Sequence, residues 1–257
     1  MEIWMLGILK SRLRQKHRTM LYPKGPAPQL PERFVGRPTV AANKCGDCNV
    51  CAAACPVGAI TKGPDGCPRI DTGKCLFCGA CERSCEGGII KFTSEYRLAA
   101  ASRDDLVVGP DSPRYMPARN DLAARLFGKS LKLRQVSAGG CNACEADSNV
   151  LCTLAWDLGR FGIDFVASPR HADGLLITGP VTRNMALALR KTYDAVPQPR
   201  IVIAVGSCAI SGGPFAGLKE QNNGAAGVVP VDLFIPGCPP HPLTILDGLL
   251  RFLGRVE

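Results

Sequence analysis

No stretch of this 257-residue chain approaches the roughly 18 uninterrupted apolar residues that a membrane-spanning helix requires, which excludes a span. A secretory signal is not expected either. The short apolar start, Ile3 to Leu9, is followed rather than preceded by basic residues, and no small-residue cleavage site comes after it. Reduced cysteines without an export signal place the chain in the cytoplasm. The sequence also lacks a Ser/His/Asp constellation, a phosphate loop and a carboxylate pair, so nothing in it supports independent catalysis. Acidic residues are scarce where the chain begins. Residues 1–40 hold eight Lys and Arg against two Glu, +6 of a total net charge of +9. No nucleic-acid recognition fold accompanies that basic patch, and nucleic acid is not the expected partner. A hydrophobic fraction of 46% is that of a globular protein, with room for one large or two modest domains.

Cysteine is what the chain has in excess. Nine of its fourteen cysteines lie between Cys45 and Cys85, and eight of the nine form one pattern written twice, thirty residues apart. The first copy is Cys45-x2-Cys48-x2-Cys51-x3-Cys55-Pro56 and the second is Cys75-x2-Cys78-x2-Cys81-x3-Cys85-Glu86. Lys44 matches Lys74, Gly58 matches Gly88 and Ile60 matches Ile90. This spacing is the bacterial ferredoxin signature, in which three thiolates of each run hold one 4Fe–4S cube and the fourth ligates the other. The expected ligand sets are therefore Cys45, Cys48, Cys51 and Cys85 for one cluster, and Cys75, Cys78, Cys81 and Cys55 for the second. Zinc sites use separated knuckles with four donors per ion, and disulfides belong to exported chains; neither fits this run. Cys67, between the repeats, fits neither copy and reads as an unliganded thiol.

Around this module the chain changes character. Trp4, Leu6, Leu9, Leu13 and Met20 recur mostly at helical spacing with cations between and after them. That pattern fits a helix lying on anionic headgroups or one packed on a partner subunit; both imply docking. Residues 22–38 carry five prolines and read as an extended connector, which closes a first segment at residues 1–38. The ferredoxin-like domain follows over residues 39–93. Residues 94–129 are charged, contain Gly109-Pro110 and Ser112-Pro113, and end in a short helix near Leu122–Phe127; they read as a linker that wraps a neighbour.

Strands and helices alternate over residues 130–257. Strands are expected at Leu131–Val136, Asp164–Ala167, Leu175–Thr178, Ile201–Val205 and Val231–Ile235. Helices are expected at Val150–Leu158 and Thr182–Tyr193, with an amphipathic one at Pro242–Leu253. The alternation predicts a flavodoxin-like parallel-sheet α/β domain, so the fold class is α/β and α+β with the two-cluster module first. Cys141 and Cys144 follow the first strand, Cys208 the fourth and Cys238 the fifth. All four fall in loops beyond the carboxyl ends of strands, where open α/β sheets gather ligands. Four cysteines converging on one edge make a metal site, a third cluster or a zinc ion by spacing alone. Cys152 is left over, expected inside a helix as a packing residue.

The motifs Gly140-Cys141-Asn142-Ala143-Cys144-Glu145, Ser168-Pro169-Arg170-His171-Ala172-Asp173, Thr178-Gly179-Pro180, Gly206-Ser207-Cys208 and Pro236-Gly237-Cys238-Pro239-Pro240 resemble the small subunit of energy-converting nickel–iron hydrogenases of the formate hydrogenlyase type. That subunit is related to the one carrying the terminal cluster of respiratory complex I. The likeness covers roughly Leu126 to Gly254. The first half, with His17-Arg18-Thr19, Arg33-Phe34-Val35-Gly36-Arg37-Pro38 and the cysteine repeats, resembles the two-cluster ferredoxin-like subunit of the same complexes. The chain thus looks like a fusion of two subunits usually made separately. The spacing Cys141-x2-Cys144 is that of the hydrogenases, whereas the complex I version has adjacent cysteines. Glu86 stands where a proline commonly follows the second run, a departure that removes no ligand.

The resemblance implies that Cys141, Cys144, Cys208 and Cys238 hold a proximal 4Fe–4S cluster, giving three clusters in one electron wire. It implies a hydrogenase-like large subunit, membrane ion-pumping subunits, and a formate dehydrogenase or ferredoxin as electron partner. It also implies a peripheral position on the cytoplasmic face of the inner membrane. The alternatives are the equivalent subunit of a complex I-like quinone or ferredoxin oxidoreductase without nickel, and a free ferredoxin-type carrier. Glu145 reads as cluster-tuning or as a helix cap. Arg170 and His171 read as charge-stabilising residues near the cluster edge, as docking residues for the large subunit, or as ties for a loop. His241 reads as a helix N-terminal contact or a reactive group.

Overall fold

The computed structural model describes residues 2–16, 18–42, 45, 48–115 and 117–256, the side chains of residues 2–5 excepted. The Trp4 side chain, His17 and Lys44, on which parts of the sequence reading rest, lie outside the described residues. The first helix, α1 (Glu2–Gln15), carries Leu6, Leu9 and Leu13 at 66%, 56% and 77% exposure, and residues 6–16 are all exposed. Met20 does not extend this face. It lies past the helix, packs partly buried against the main core, and its N–H donates to Ala155 O at 2.9 Å.

The duplicated cysteine runs build a small two-sheet body. Strand β1 (Pro38–Val40) pairs antiparallel with β4 (Ile90–Phe92), which follows the second run. Strand β2 (Ile60–Lys62), which follows the first, pairs antiparallel with β3 (Pro68–Asp71). One short helix belongs to each run, α2 (Val50–Ala53) and α3 (Ala80–Arg83). The repeated glycines explain why the copies superpose in sequence: Gly58 and Gly88 both turn with φ near +60°, a conformation that costs other residues energy. The apolar core is only Val40, Cys51, Ile60, Ile70, Cys81 and Ile90 with a few half-buried neighbours. Such a core is too small to hold the module by itself, so its folding depends on whatever its thiols bind.

The second body is a five-stranded parallel sheet formed by β6 (Leu131–Ser137), β7 (Ile163–Phe165), β8 (Gly174–Thr178), β9 (Ile201–Val205) and β10 (Leu233–Ile235). Their order across the sheet is β10-β9-β8-β6-β7, the flavodoxin-like arrangement in which the order reverses beside the first strand. Alternate residues of the buried strands feed two cores. Leu176, Ile201, Ile203 and Val205 face one, and Leu175, Ile177, Val202 and Ala204 the other. Helix α6 (Arg183–Ala195) covers the second core, and α8 (Pro242–Phe252) lies in the first.

Three expectations change. The amphipathic terminal helix is buried all round: every residue of α8 is buried, Asp247 and Arg251 included. Its polar face is covered by the chain's own earlier segments. Tyr22 Oη donates to Asp247 Oδ1 at 3.0 Å, Arg251 pairs with Asp247 at 2.8 Å, and Arg251 also donates to Ala99 O. The segment 94–129 is accordingly no free connector. Ala100 bridges Phe234 of β10, β5 (Val107–Val108) joins β3 of the ferredoxin-like body, and α4 (Asp121–Phe127) packs on the main core. The neighbour it wraps is the chain itself. Glu95 helps fasten it. Burial opposes its charge, but hydrogen bonds from Arg97 and Arg114 outweigh that and hold its carboxyl down at about 2. The third change is the helix expected at Val150–Leu158, which forms earlier as α5 (Ala143–Val150), with turns after it.

Asp247→Ala leaves the Arg251 guanidinium buried without its carboxylate, and a broken buried pair costs roughly 3–5 kcal/mol. Tyr22→Phe removes one hydrogen bond worth about 1 kcal/mol. Thermal unfolding of the two variants is expected to rank them in that order, Asp247→Ala far below the parent.

Candidate metal centre

Four cysteines sit at the same place in four different helices. Cys51, Cys81, Cys144 and Cys208 are each the second residue of α2, α3, α5 and α7 (Ser207–Ser211). In the first turn the backbone N–H groups have no partner inside the helix and point outward, a geometry that favours an anionic sulfur. Two of the helices begin after a left-handed residue, Gly79 (φ 68°) and Asn142 (φ 71°), the first intervening residue of its C-x2-C pair. Glycine and asparagine are the residues that adopt this conformation at least cost. Backbone amides also reach sulfur directly: Ala59 N–H donates to Cys55 Sγ at 3.2 Å and Phe77 N–H to Cys75 Sγ at 3.3 Å.

Which thiols come together is visible in how they charge one another. Burial pushes the Cys51 thiol up, and the charges of Cys45, Cys85 and Cys48 add to it. Burial and Cys85 do the same to Cys45, to which Cys48 and Cys67 contribute. In the other set burial pushes Cys75 up to about 12, with Cys81, Cys55 and Cys78 adding, and Cys81 up to about 11, with Cys55 and Cys78 adding. Cys85 thus faces the first run and Cys55 the second. Cys67 is buried beside Cys45.

The third set gathers at the carboxyl edge of the five-stranded sheet. Burial is again the largest influence on Cys144, followed by Cys208, Glu145, Cys238 and Cys141, all raising it. Cys208 is pushed up to about 11 by burial and then by Cys238, Cys141 and Glu145. Gly206, at φ +89°, passes so close to this set that a Cβ on it would lie 2.5 Å from Cys144 Sγ. Cys141 and Cys238 are exposed, so this set opens outward.

In all three sets the largest influences that raise the shifted thiols are burial and the other cysteines, with Lys62 acting in the opposite sense on Cys45. A nucleophilic cysteine requires the reverse, an electropositive setting that lowers its pKa. Clustered thiols of this kind ionise when a multiply charged metal group takes the place of their protons. Among the described residues no three His, Cys, Asp or Glu side chains close around a single ion.

The neighbouring residues divide. Glu145 is buried, and its Oε1 accepts hydrogen bonds from Ser137 Oγ and Thr178 Oγ1, both at 2.6 Å. It therefore ties the ends of β6 and β8 to α5 beside Cys144, instead of capping the helix. His241 caps α8: its Nδ1 accepts from Leu243 N–H at 3.1 Å, and burial lowers its pKa. Arg170 and His171 are exposed and do not join the cysteines. They precede β8, where Asp173 N–H bonds to Lys132 O at the start of β6, at the amino edge of the sheet. The expected charge-stabilising role at the cluster edge is corrected by that placement. Cys152 lies beyond α5, not within a helix, and is exposed rather than packed.

Sequence reasoning missed Ser207. Its side chain is buried, and its Oγ donates to Cys75 O at 2.6 Å, joining the ferredoxin-like body to the third set of cysteines. Only the repeated placement of a small residue before a cysteine hinted at it.

Comparison with known proteins agrees with this division of the chain. The family of the 20 kDa subunit of NADH ubiquinone oxidoreductase matches residues 141–252, and the 4Fe-4S binding domain matches residues 38–61. A probable membrane-bound hydrogenase subunit of Pyrococcus furiosus is 39% identical over 132 residues, 51% of this chain and 79% of that protein. Formate hydrogenlyase subunit 7 of Escherichia coli is 43% identical over 129 residues, 50% of this chain and 51% of that protein. An NADH-quinone oxidoreductase subunit of Heliobacterium modesticaldum is 39% identical over 121 residues, 47% of this chain and 69% of that protein. Among the described residues no helix is long and apolar enough to cross a membrane.

Proposed function

The chain belongs to the family of the 20 kDa subunit of NADH ubiquinone oxidoreductase, and on that footing we propose that it is the three-cluster electron wire of an energy-converting nickel–iron hydrogenase. At the coarser level it is a non-catalytic, electron-transferring, 4Fe–4S-binding subunit of a hydrogenase-like or complex I-like oxidoreductase. In the proposal Cys45, Cys48, Cys51 and Cys85 hold one cube, Cys55, Cys75, Cys78 and Cys81 a second, and Cys141, Cys144, Cys208 and Cys238 the third. Bound there, the cubes supply one-electron redox steps. The chain's own residues hold them at fixed separations, bury the inner thiols and leave the third set open toward a neighbour. The observation that carries the reading is that two members of the third set, Cys141 and Cys238, are exposed at the carboxyl edge of the sheet, where each of the other sets exposes one, Cys48 and Cys78. A large subunit bearing the nickel site covers this edge. A formate dehydrogenase or ferredoxin meets the other end, and α1 lays its exposed leucines and cations on the cytoplasmic face of the membrane, above ion-pumping subunits.

The complex I-like reading is favoured by the NADH-quinone oxidoreductase relative, and the hydrogenase reading by the Cys141-x2-Cys144 spacing. Purification of the tagged chain from its own membranes separates them. The expected result is a complex containing a large subunit with two C-x2-C pairs that evolves hydrogen from a reduced dye. A large subunit without those pairs overturns the hydrogenase assignment, and a stable monomer carrying every cluster overturns the subunit assignment altogether.

A further inference from the structure

Two of the proposed clusters are joined through a single hydroxyl group. Ser207 opens α7 immediately before Cys208, and its side chain is only 1% exposed. Its Oγ donates to the carbonyl oxygen of Cys75 at 2.6 Å and lies 3.1 Å from Gly237 O. A hydroxyl has one proton to donate, and the contact with Cys75 O is the shorter by 0.5 Å; Gly237 O also accepts the Ser207 N–H at 2.8 Å. One backbone step from this hydrogen bond lies Cys208, and Gly237 is the residue before Cys238. A ligand of the second set is thus connected to two ligands of the third through hydrogen bonds at one residue. Ser211, one turn along α7, holds its hydroxyl 3.0 Å from both Gly73 O and Ser207 O, so it fastens the same seam without touching a cysteine.

We propose that Ser207 is the bridging residue for electron transfer between the second and third clusters; this rests on the three-cluster reading above. Electron tunnelling weakens far less across covalent bonds and short hydrogen bonds than across a van der Waals gap. The route runs from Cys75 Sγ along that residue to its carbonyl, across the hydrogen bond to Ser207 Oγ, and along the backbone to Cys208 Sγ. In the step one electron leaves the cube held by Cys75, which is oxidised, and enters the cube held by Cys208, which is reduced. The Ser207 proton stays on its oxygen and no bond to a heavy atom forms or breaks. The short contact and the burial of both partners keep water out of the route.

The test uses the assembled complex, reduced rapidly and sampled by freeze-quench electron paramagnetic resonance. Ser207→Ala is expected to retain all three cluster signals at parental intensity, while reduction of the third cluster by the second slows several-fold. Ser211→Ala, which loosens the seam but leaves the route, is expected to transfer at the parental rate. Equal rates in Ser207→Ala and the parent overturn the proposal, and so does equal slowing in both variants, which makes the effect one of docking. If Ser207→Ala does not assemble, Ser207→Thr, which keeps the hydroxyl, must transfer at the parental rate; slow transfer there also overturns it. Failure of the underlying reading shows separately, as fewer than three signals in the parent.

Discussion

Cys144→Ser is expected to strip the third cluster from the chain and stop electron delivery to the partner while leaving the ferredoxin-like body intact. Cys144 is the most enclosed member of its set in electrostatic terms: burial, three other cysteines and Glu145 all disfavour its charge unless a metal group compensates. Its sulfur also lies close against Gly206, where a Cβ would be only 2.5 Å away. A serine oxygen is a harder donor on a shorter bond, and the site loses one of four ligands. Iron content should fall from about twelve to about eight per chain, one cube of four irons. The two ferredoxin-type signals should persist, because their ligands lie in a separate body with its own small core. Cys152→Ser, at an exposed position outside every set, should change neither quantity. A Cys144→Ser chain that keeps about twelve irons removes Cys144 from the ligand set, a parental chain with only about eight removes the third cluster, and one zinc per parental chain replaces the cube with an ion.

Much of this arrangement is legible in the sequence because the chemistry is written in spacing. Two cysteine runs with matched glycines define the first body, and Gly58 and Gly88 share one backbone conformation as their alignment implies. The buried run Ile201–Val205 is a strand with the expected bounds because only a central parallel strand tolerates five consecutive apolar residues, four of them β-branched. What resists reading is structure fixed by contacts between distant segments. Helix α5 carries Glu145, Asp147, Ser148 and Asn149, so it shows no apolar period; its start is set by the left-handed Asn142. Asp247 and Arg251 look like a solvent face at helical spacing, yet they pair with each other under Tyr22 and Ala99. Arg170 and His171 follow a strand in sequence, but β7 is only three residues long and pairs with the first half of β6. The loop therefore returns to the amino edge. Ser207 is silent in sequence because its partner, Cys75, is 132 residues away.

The two bodies also depend on each other unequally. The parallel sheet has two cores of its own, whereas the ferredoxin-like body has one small core and shares β5 with the wrapping segment. Contacts from Gly73 and Cys75 to α7 fix its orientation, and a Cβ on Gly73 would lie 2.8 Å from Ile210. The larger body thus orients the smaller one, which is held to it at Cys75, a proposed ligand of the second cluster.

Cys55→Ser is expected to abolish the cluster held by the other run. Cys55 belongs by sequence to the first copy, but its charge acts on Cys75 and Cys81, while Cys85 acts on Cys45 and Cys51. Cys55→Ser should therefore lose the same resonance signal as Cys78→Ser, and Cys85→Ser the same as Cys48→Ser, each with a drop of about four irons. The two losses should differ in consequence. The set containing Cys75 adjoins Ser207, so Cys55→Ser breaks the relay at its middle, and the third cluster can then be reduced only from its outer face. Cys85→Ser removes the remote set and leaves the second and third clusters connected. A small reductant that reaches the second cluster should still load the third in Cys85→Ser and fail to do so by that route in Cys55→Ser. If Cys55→Ser instead loses the signal that Cys48→Ser loses, each run holds its own cluster. The crossing of ligands between the copies, and with it the position of Cys75 in the relay, is then wrong.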